Sequence, residues 1–282
     1  MATETATQAA AVDAAPVSLL DRILTEGKLA RDEIQRAYAR DLVGEFVNEV
    51  LAEGSSTIAN DVVALINDRI AQIDDLLSAQ INEIMHQAEF QVLEASWRGL
   101  HYLVMKTETG ALLKLRVLNI TRSELLKDLE KAVEFDQSAL FKKIYEEEYG
   151  TFGGYPYSVL IGDFDFGRHP QDIALLEKMS HVAAAAHAPF IAAASPKLLD
   201  MADFTEIGVP RDLAKIFESA ELIRWRSFRE SEDSRYVSLC LPRVLMRLPY
   251  GPKTVQVEGM SFFEDVDGTD HARYLWANPR VF

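Results

Sequence analysis

Seven aliphatic residues, Val62, Ile66, Ile70, Ile73, Leu77, Ile81 and Ile84, follow one another at steps of 4, 4, 3, 4, 4 and 3. Alternating threes and fours keep them on one narrow stripe of an α-helix, because 3.6 residues complete a turn. A stripe this long and narrow is a seam for helix-on-helix packing. The polar faces carry Asp61, Asp68, Asp74 and Asp75, so the pattern predicts a contact surface on one side and solvated faces elsewhere. A break at Gly54-Ser55-Ser56 separates this helix from an earlier one that carries Ile34, Tyr38, Leu42, Phe46, Val47 and Val50. The expected bounds are Arg31 to Val50 and Asp61 to Met85.

After these helices the periodicity changes. Phe90 to Val104, with Trp97, Leu100, Tyr102 and Leu103, reads as a further helix that Gly110 ends. Leu113, Leu115 and Val117 then alternate with Lys114 and Arg116, the period-two mark of a strand with one wet face. Thr121 and Glu124 form a capping box ahead of Leu125, Leu126, Leu129 and Val133, which places a helix next. From there strands at Tyr157 to Ile161, Pro189 to Ala194 and Tyr236 to Leu241 alternate with helices at about Pro170 to His187 and Arg211 to Arg226. The fold class is therefore α+β, with N-terminal helices followed by a mixed sheet carrying packed helices.

Residues 1–16 are small or polar and end at Pro16, and they lack the large apolar groups that offset ordering entropy, so they read as a disordered tail. Leu19, Leu20, Ile23 and Leu24 recur at helical spacing between a possible cap at Ser18 and a possible stop at Gly27, an amphipathic helix over 17–29. The remaining divisions are a helical region over 30–105 and an α+β body over 106–282. With 282 residues and 48% hydrophobic residues, one or two cores are within reach.

The net charge of 29 − 44 = −15 repels nucleic-acid phosphates and argues against a nucleic-acid partner. The single cysteine, Cys240, excludes an internal disulfide and reads as a small residue of a buried strand. The first sixteen residues contain no lysine or arginine, so neither a signal nor a transit peptide is expected there. No stretch approaches the ~20 apolar residues of a membrane span, and the cytoplasm is the expected compartment.

The most enzyme-like segment is Gly162 to His169, where Asp163, Asp165 and His169 follow the end of an expected strand. An Asp-x-Asp pair can hold a divalent metal and a histidine can act as acid or base, which keeps a metal-assisted hydrolase or transferase open. A glycine-bounded acidic turn with Pro170 opening the next helix is the plainer alternative. Asp265, Asp267 and Asp270 around Gly268 miss the EF-hand spacing and read as a solvated acidic turn. Glu230, Glu232 and Asp233, interleaved with Arg229 and Arg235, read as a salt-bridged rim. Gly150, Gly153 and Gly154 lack the Gly-Lys-Ser/Thr of a phosphate loop, and the six histidines (86, 101, 169, 181, 187 and 271) show no ligand spacing. No catalytic, metal or cofactor residue is assigned.

Longer words carry more information than these short motifs. Glu94-Ala95-Ser96-Trp97-Arg98-Gly99-Leu100, Phe135-Asp136-Gln137-Ser138 through Tyr149-Gly150-Thr151-Phe152-Gly153-Gly154, and Arg168-His169-Pro170-Gln171-Asp172 occur in one order. Trp225 to Arg235 and Leu241-Pro242-Arg243-Val244-Leu245-Met246-Arg247-Leu248-Pro249-Tyr250-Gly251 follow. Together they resemble the large subunit of the type VI secretion contractile sheath, the TssC/VipB family, from about Leu19 to Trp276.

The resemblance implies a non-enzymatic structural subunit that pairs with the small sheath subunit, TssB/VipA. With other sheath protomers it would form a tube around the inner Hcp tube, on a baseplate, and contraction of that tube would drive effector delivery. Region 30–105 then becomes the expected small-subunit-binding region, with Ile66, Ile70, Ile73, Leu77 and Ile81 as the interface. The family's N-terminal helix is the element that the ClpV ATPase engages after contraction, and Leu19, Leu20, Ile23 and Leu24 fall in its place. Family members continue well beyond the region of Asp270 to Trp276, so this chain is expected to lack the C-terminal part. A non-polymerising adaptor for ClpV is therefore a further alternative.

Overall fold

The computed structural model describes residues 32–52 and 62–279. The chain divides into two units, Met1–Gln72 and Ile73–Phe282, each described here by itself. The expected helix at 17–29, with Leu19, Leu20, Ile23 and Leu24, lies outside the described residues.

In the first unit, α1 spans Glu33–Ala52, and the carboxylate of Asp32 caps it by accepting from the Gln35 amide at 2.7 Å. Ile34, Tyr38 and Leu42, the apolar residues that defined this helix in the sequence, are exposed. Helix α2, Val62–Met85, starts in this unit and runs on into the second.

The second unit holds α3 (Ala88–Lys106), α4 (Arg122–Lys131) and a short α5 (Ala139–Phe141) that widens into a π-helical turn over Lys142–Tyr149. The capping box of α4 forms as expected. The Glu124 amide donates to the Thr121 hydroxyl at 3.2 Å, and the Thr121 amide donates to the Glu124 carboxylate at 2.9 Å. Phe141, Tyr145 and Tyr149 stack in series along the π-helical turn, with ring centroids 4.9 and 5.1 Å apart.

The sheet follows. Strands β1 (Leu160–Phe166), β2 (Phe190–Ala194) and β3 (Val237–Cys240) run parallel in the order β1-β2-β3, with Ile161 opposite Ile191 and Ala192 opposite Leu239. Parallel neighbours need crossovers. The first crossover is α6 (Pro170–Ala186), and the second contains α7 (Leu213–Glu218) and α8 (Ile223–Glu230). Proline at the first turn starts α6 without wasting an amide, and His187, left-handed at φ 52°, ends it. Two shorter strands, β4 (Val244–Leu245) and β5 (Trp276–Ala277), pair antiparallel. The mixed strand directions are thus divided between two sheets.

Helix α6 packs on all three parallel strands and is the centre of the core. Leu175, Leu176, Met179 and Val182 bury almost completely, together with Phe166 and Phe190 from the sheet, Leu129 from α4 and Trp225 from α8. Fully burying a side chain of this size contributes about 1.5–3 kcal/mol. The sheet leaves no room at Gly162, where a Cβ would stand 2.6 Å from the Phe190 ring.

The structure corrects the sequence reading in four places. Leu113 to Val117 forms no strand and joins no sheet. The strand expected at Tyr157 to Ile161 begins at Leu160 and continues through Phe166, which puts Asp163 and Asp165 on the strand and not in a turn after it. The single helix expected over Arg211 to Arg226 is broken between α7 and α8 by a 3-10 turn at Ala220–Leu222. Cys240 is half-buried, because β3 is an edge strand.

A buried charge cluster joins α3 to the segment that follows β4. Arg247 donates to Glu94 at 2.8 Å and to Glu264 at 2.6 and 3.1 Å, with only 10% of the Arg247 side chain and 1% of the Glu264 side chain exposed. The Tyr250 amide donates to Glu264 at 2.8 Å, Arg98 donates to Glu94 at 2.7 Å and to the Tyr250 hydroxyl at 2.8 Å, and His86 stands 3.6 Å from Glu264. Burial pushes the Glu94 carboxyl up, but the hydrogen bonds and charges of Arg247 and Arg98 outweigh it and hold Glu94 below its ordinary value of 4.5. For Arg247 burial disfavours the charge, yet Glu264 and Glu94 outweigh it and raise its value.

Removing one partner from such a cluster strands a buried charge. Glu264→Ala is expected to cost about 3–5 kcal/mol in urea denaturation, and the triple change Glu94→Gln, Arg247→Met, Glu264→Gln less than that single change. Because the Glu94 value is lowered on folding, its contribution is complete above pH 4.5 and is lost as the pH falls through the folded value. Thermal melts from pH 6 downward therefore show a shallower acid-side loss for Glu94→Gln than for the unaltered chain.

Candidate functional site

Helix α2 presents two faces of opposite use. On its second half Asp74, Ser78 and Asn82, spaced four apart, form a polar stripe that holds the main chain of Ser261 to Asp265. The Ser261 amide donates to Asp74 at 2.9 Å, Asn82 donates to the Phe263 carbonyl at 3.0 Å, and the Asp265 amide donates back to Asn82 at 2.9 Å. The Ser78 hydroxyl reaches the Ser261 carbonyl at 3.5 Å. At Asp74 this reverses the expectation that the polar faces are solvated, whereas Asp68 and Asp75 are exposed as expected.

The apolar seam, in contrast, is largely open. Ile66, Ile70, Ile73 and Leu77 are each 42–51% exposed, Ile84 is exposed as well, and Ile81 is half-buried. Leu76 beside them is more exposed still. An aliphatic stripe that stays in water forgoes its transfer free energy, so the arrangement gains stability only when another surface covers it.

The acidic candidates are engaged elsewhere. On β1 the Asp163 carboxylate accepts from the Ser96 hydroxyl of α3. Asp165 is held between Arg243 and Asn278, both at 3.1 Å, while Arg122 donates to the Asp165 carbonyl at 3.1 Å. Arg122 also pairs at 2.9 Å with Asp172, which in turn accepts from the Gly167 amide at 2.9 Å. His169 caps α6, its Nδ1 accepting from the Gln171 amide at 3.3 Å. These groups therefore fasten β1 to α3, α4 and the chain after β5. Among the described residues no group of three His, Cys, Asp or Glu side chains is placed to hold a metal ion.

The other motifs resolve in the same way. Asp265 and Asp270 both pair with Arg273, at 2.6 and 3.3 Å. Gly153, at φ 83°, and Gly154, whose missing Cβ would fall on the Glu148 carbonyl, let the chain double back so that Glu148 accepts from the Tyr155 amide and pairs with Arg116. The Arg116 hydrogen bond holds Glu148 below the usual carboxylate range. In the charged word at 225–235, Asp233 meets His181 at 2.8 Å, and Arg235 pairs with Glu232 at 3.1 Å.

The charge cluster of Glu94, Arg247 and Glu264 had no counterpart among the sequence candidates, although Glu94 and Arg247 both lie within the long family words. Among the described residues, no helix is long and apolar enough to cross a membrane. Titration calorimetry with magnesium or manganese is expected to give no heat above dilution. Asp165→Asn is expected to lower stability by about 0.2–1 kcal/mol through the loss of the half-exposed ion pair with Arg243.

Residues 67–281 match the VipB family, described as EvpB/VC_A0108, tail sheath N-terminal domain. The type VI secretion system sheath protein TssC1 of Pseudomonas aeruginosa is 50% identical over 262 residues, covering 92% of this chain and 51% of that protein. The chain thus spans about half the length of this relative. The long words contribute to ion clusters and caps that hold the body together. A match over most of the chain, at this identity, shows that the chain belongs to the TssC/VipB family of type VI secretion sheath proteins.

Proposed function

We propose that this chain is a structural subunit of a type VI secretion sheath and that it acts through protein interfaces. Its small-subunit contact is the α2 seam of Ile66, Ile70, Ile73, Leu77 and Ile81, and the partner is the small sheath subunit, TssB/VipA. One observation carries this reading. In a member of a sheath family, the longest apolar stripe of the sequence lies open along a helix whose polar side is already engaged.

Each half-covered aliphatic side chain gains on the order of 1 kcal/mol when the rest of it is buried. Association costs about 4–15 kcal/mol, so a few such positions do not suffice and the contact has to run along much of the helix. A second helix laid along the seam meets that requirement, because steps of three and four keep the stripe facing one partner over its whole length.

The wider assembly follows from the family reading: stacking with other sheath protomers into a tube around Hcp on a baseplate, with contraction driving effector delivery. Leu19, Leu20, Ile23 and Leu24 are proposed as the ClpV recognition helix on the same basis. The adaptor alternative predicts ClpV binding without tubules.

The test is co-expression with the small sheath subunit of the same genome. The unaltered chain is expected to co-purify with it, and the triple variant Ile66→Asp, Ile70→Asp, Ile73→Asp to lose the partner at least a hundredfold while keeping its circular dichroism. Pairing of the triple variant at the unaltered level sinks the seam assignment.

A further inference from the structure

The segment 112–118, between α3 and α4, belongs to no helix or strand. Its two cationic residues, though exposed, contact the protein. Lys114 stands over the Tyr155 ring at 3.4 Å, and Arg116 pairs with Glu148 and donates to the Tyr157 hydroxyl at 3.3 Å. Its apolar residues face outward: Leu113, Leu115, Val117 and Leu118 are all exposed, Val117 to 69%. An open groove of about 610 Å³ runs along the same stretch, bordered by Val104, Gly110 and residues 113–117.

The main chain here is as unsatisfied as the apolar row. Among the described residues, the backbone of 114–120 makes no hydrogen bond to another strand, and the segment belongs to neither sheet. A chain segment with open amides and carbonyls, flanked by exposed β-branched and aliphatic side chains, is a template for strand addition. The two cationic anchors hold it in that form in advance, which lowers the ordering cost of pairing.

Which strand it receives is decided by what sheath proteins carry beyond this region. The match is to a sheath N-terminal domain, and TssC1 has about as much chain again outside the part this protein covers. We infer that segment 112–118 is the docking edge for a β-strand from that remaining half of the sheath polypeptide, covering Leu113, Leu115 and Val117. The inference rests on the family membership and not on the α2 seam.

Hydrogen–deuterium exchange on the 282-residue chain tests it, alone and after co-expression with the half of Pseudomonas aeruginosa TssC1 that lies outside the match. The expected result is a complex in which the amides of 114–118 exchange at least tenfold more slowly. A complex that leaves these amides at their free rate, or no complex, overturns the inference. Slowing that grows with the concentration of this chain alone also overturns it, because the occupant is then a second copy. Leu115→Pro removes an amide that has no partner in the free chain, so it is expected to leave the melting temperature unchanged and to abolish the complex. A complex of unaltered affinity with Leu115→Pro counts against the inference. The triple seam variant at Ile66, Ile70 and Ile73 is expected to keep the protection at 114–118, so the two readings fail separately.

Discussion

The ion pair between Arg247 and Glu264 is the constraint on which the C-terminal part of this structure depends. Neither residue enters so dry an environment alone without cost, since an unpaired buried charge takes several kcal/mol, a large part of a domain's whole stability. Together with Glu94 they satisfy one another's hydrogen bonds, and Tyr250 supplies the amide and ring that close the arrangement. The cluster fixes the chain between β4 and the acidic turn against α3. That placement in turn delivers residues 261–265 to the polar stripe of α2. The order of dependence runs from a buried charge to a loop, and from the loop to the face that a long helix keeps for itself.

A second cluster, around Asp165, does for the parallel sheet what the first does for the loops. β1 is an edge strand, and its last residues are held by side chains in place of another strand: Arg122 on the Asp165 carbonyl and Asn278 on the Phe164 carbonyl. The acidic pair that looked most like chemistry is therefore a fastening. The two carboxylates, spaced by one residue on β1, meet α3 at Asp163 and Arg243 at Asp165.

The parts of this fold that were legible in the sequence are those fixed by short-range rules. The capping box at Thr121 and Glu124 involves residues three apart, and the α2 seam is a property of one helix. The Arg247 cluster brings Glu94 and Arg247 together across 153 positions, and no local periodicity announces such a meeting. The segment at Leu113 to Val117 was misread for a different reason. Alternation tells which residues share a face, but not which face meets the protein, and here Tyr155, Tyr157 and Glu148 claim the cationic side. The same limit applies to Asp74 on α2, read as part of a wet face, because its ligand is backbone, which has no sequence signature.

The stripe on α2 also has a mechanical side. Asp74, Ser78 and Asn82 grip a run of main chain that lies along the helix, so a load applied to Ile73, Leu77 or Ile81 along the helix axis reaches that run as shear. Bonds arranged this way share the load and yield together, whereas bonds peeled from one end break in turn. The segment they grip contains Glu264 and is thereby anchored to Arg247 and α3, which braces residues 74–82 of the helix within the second unit.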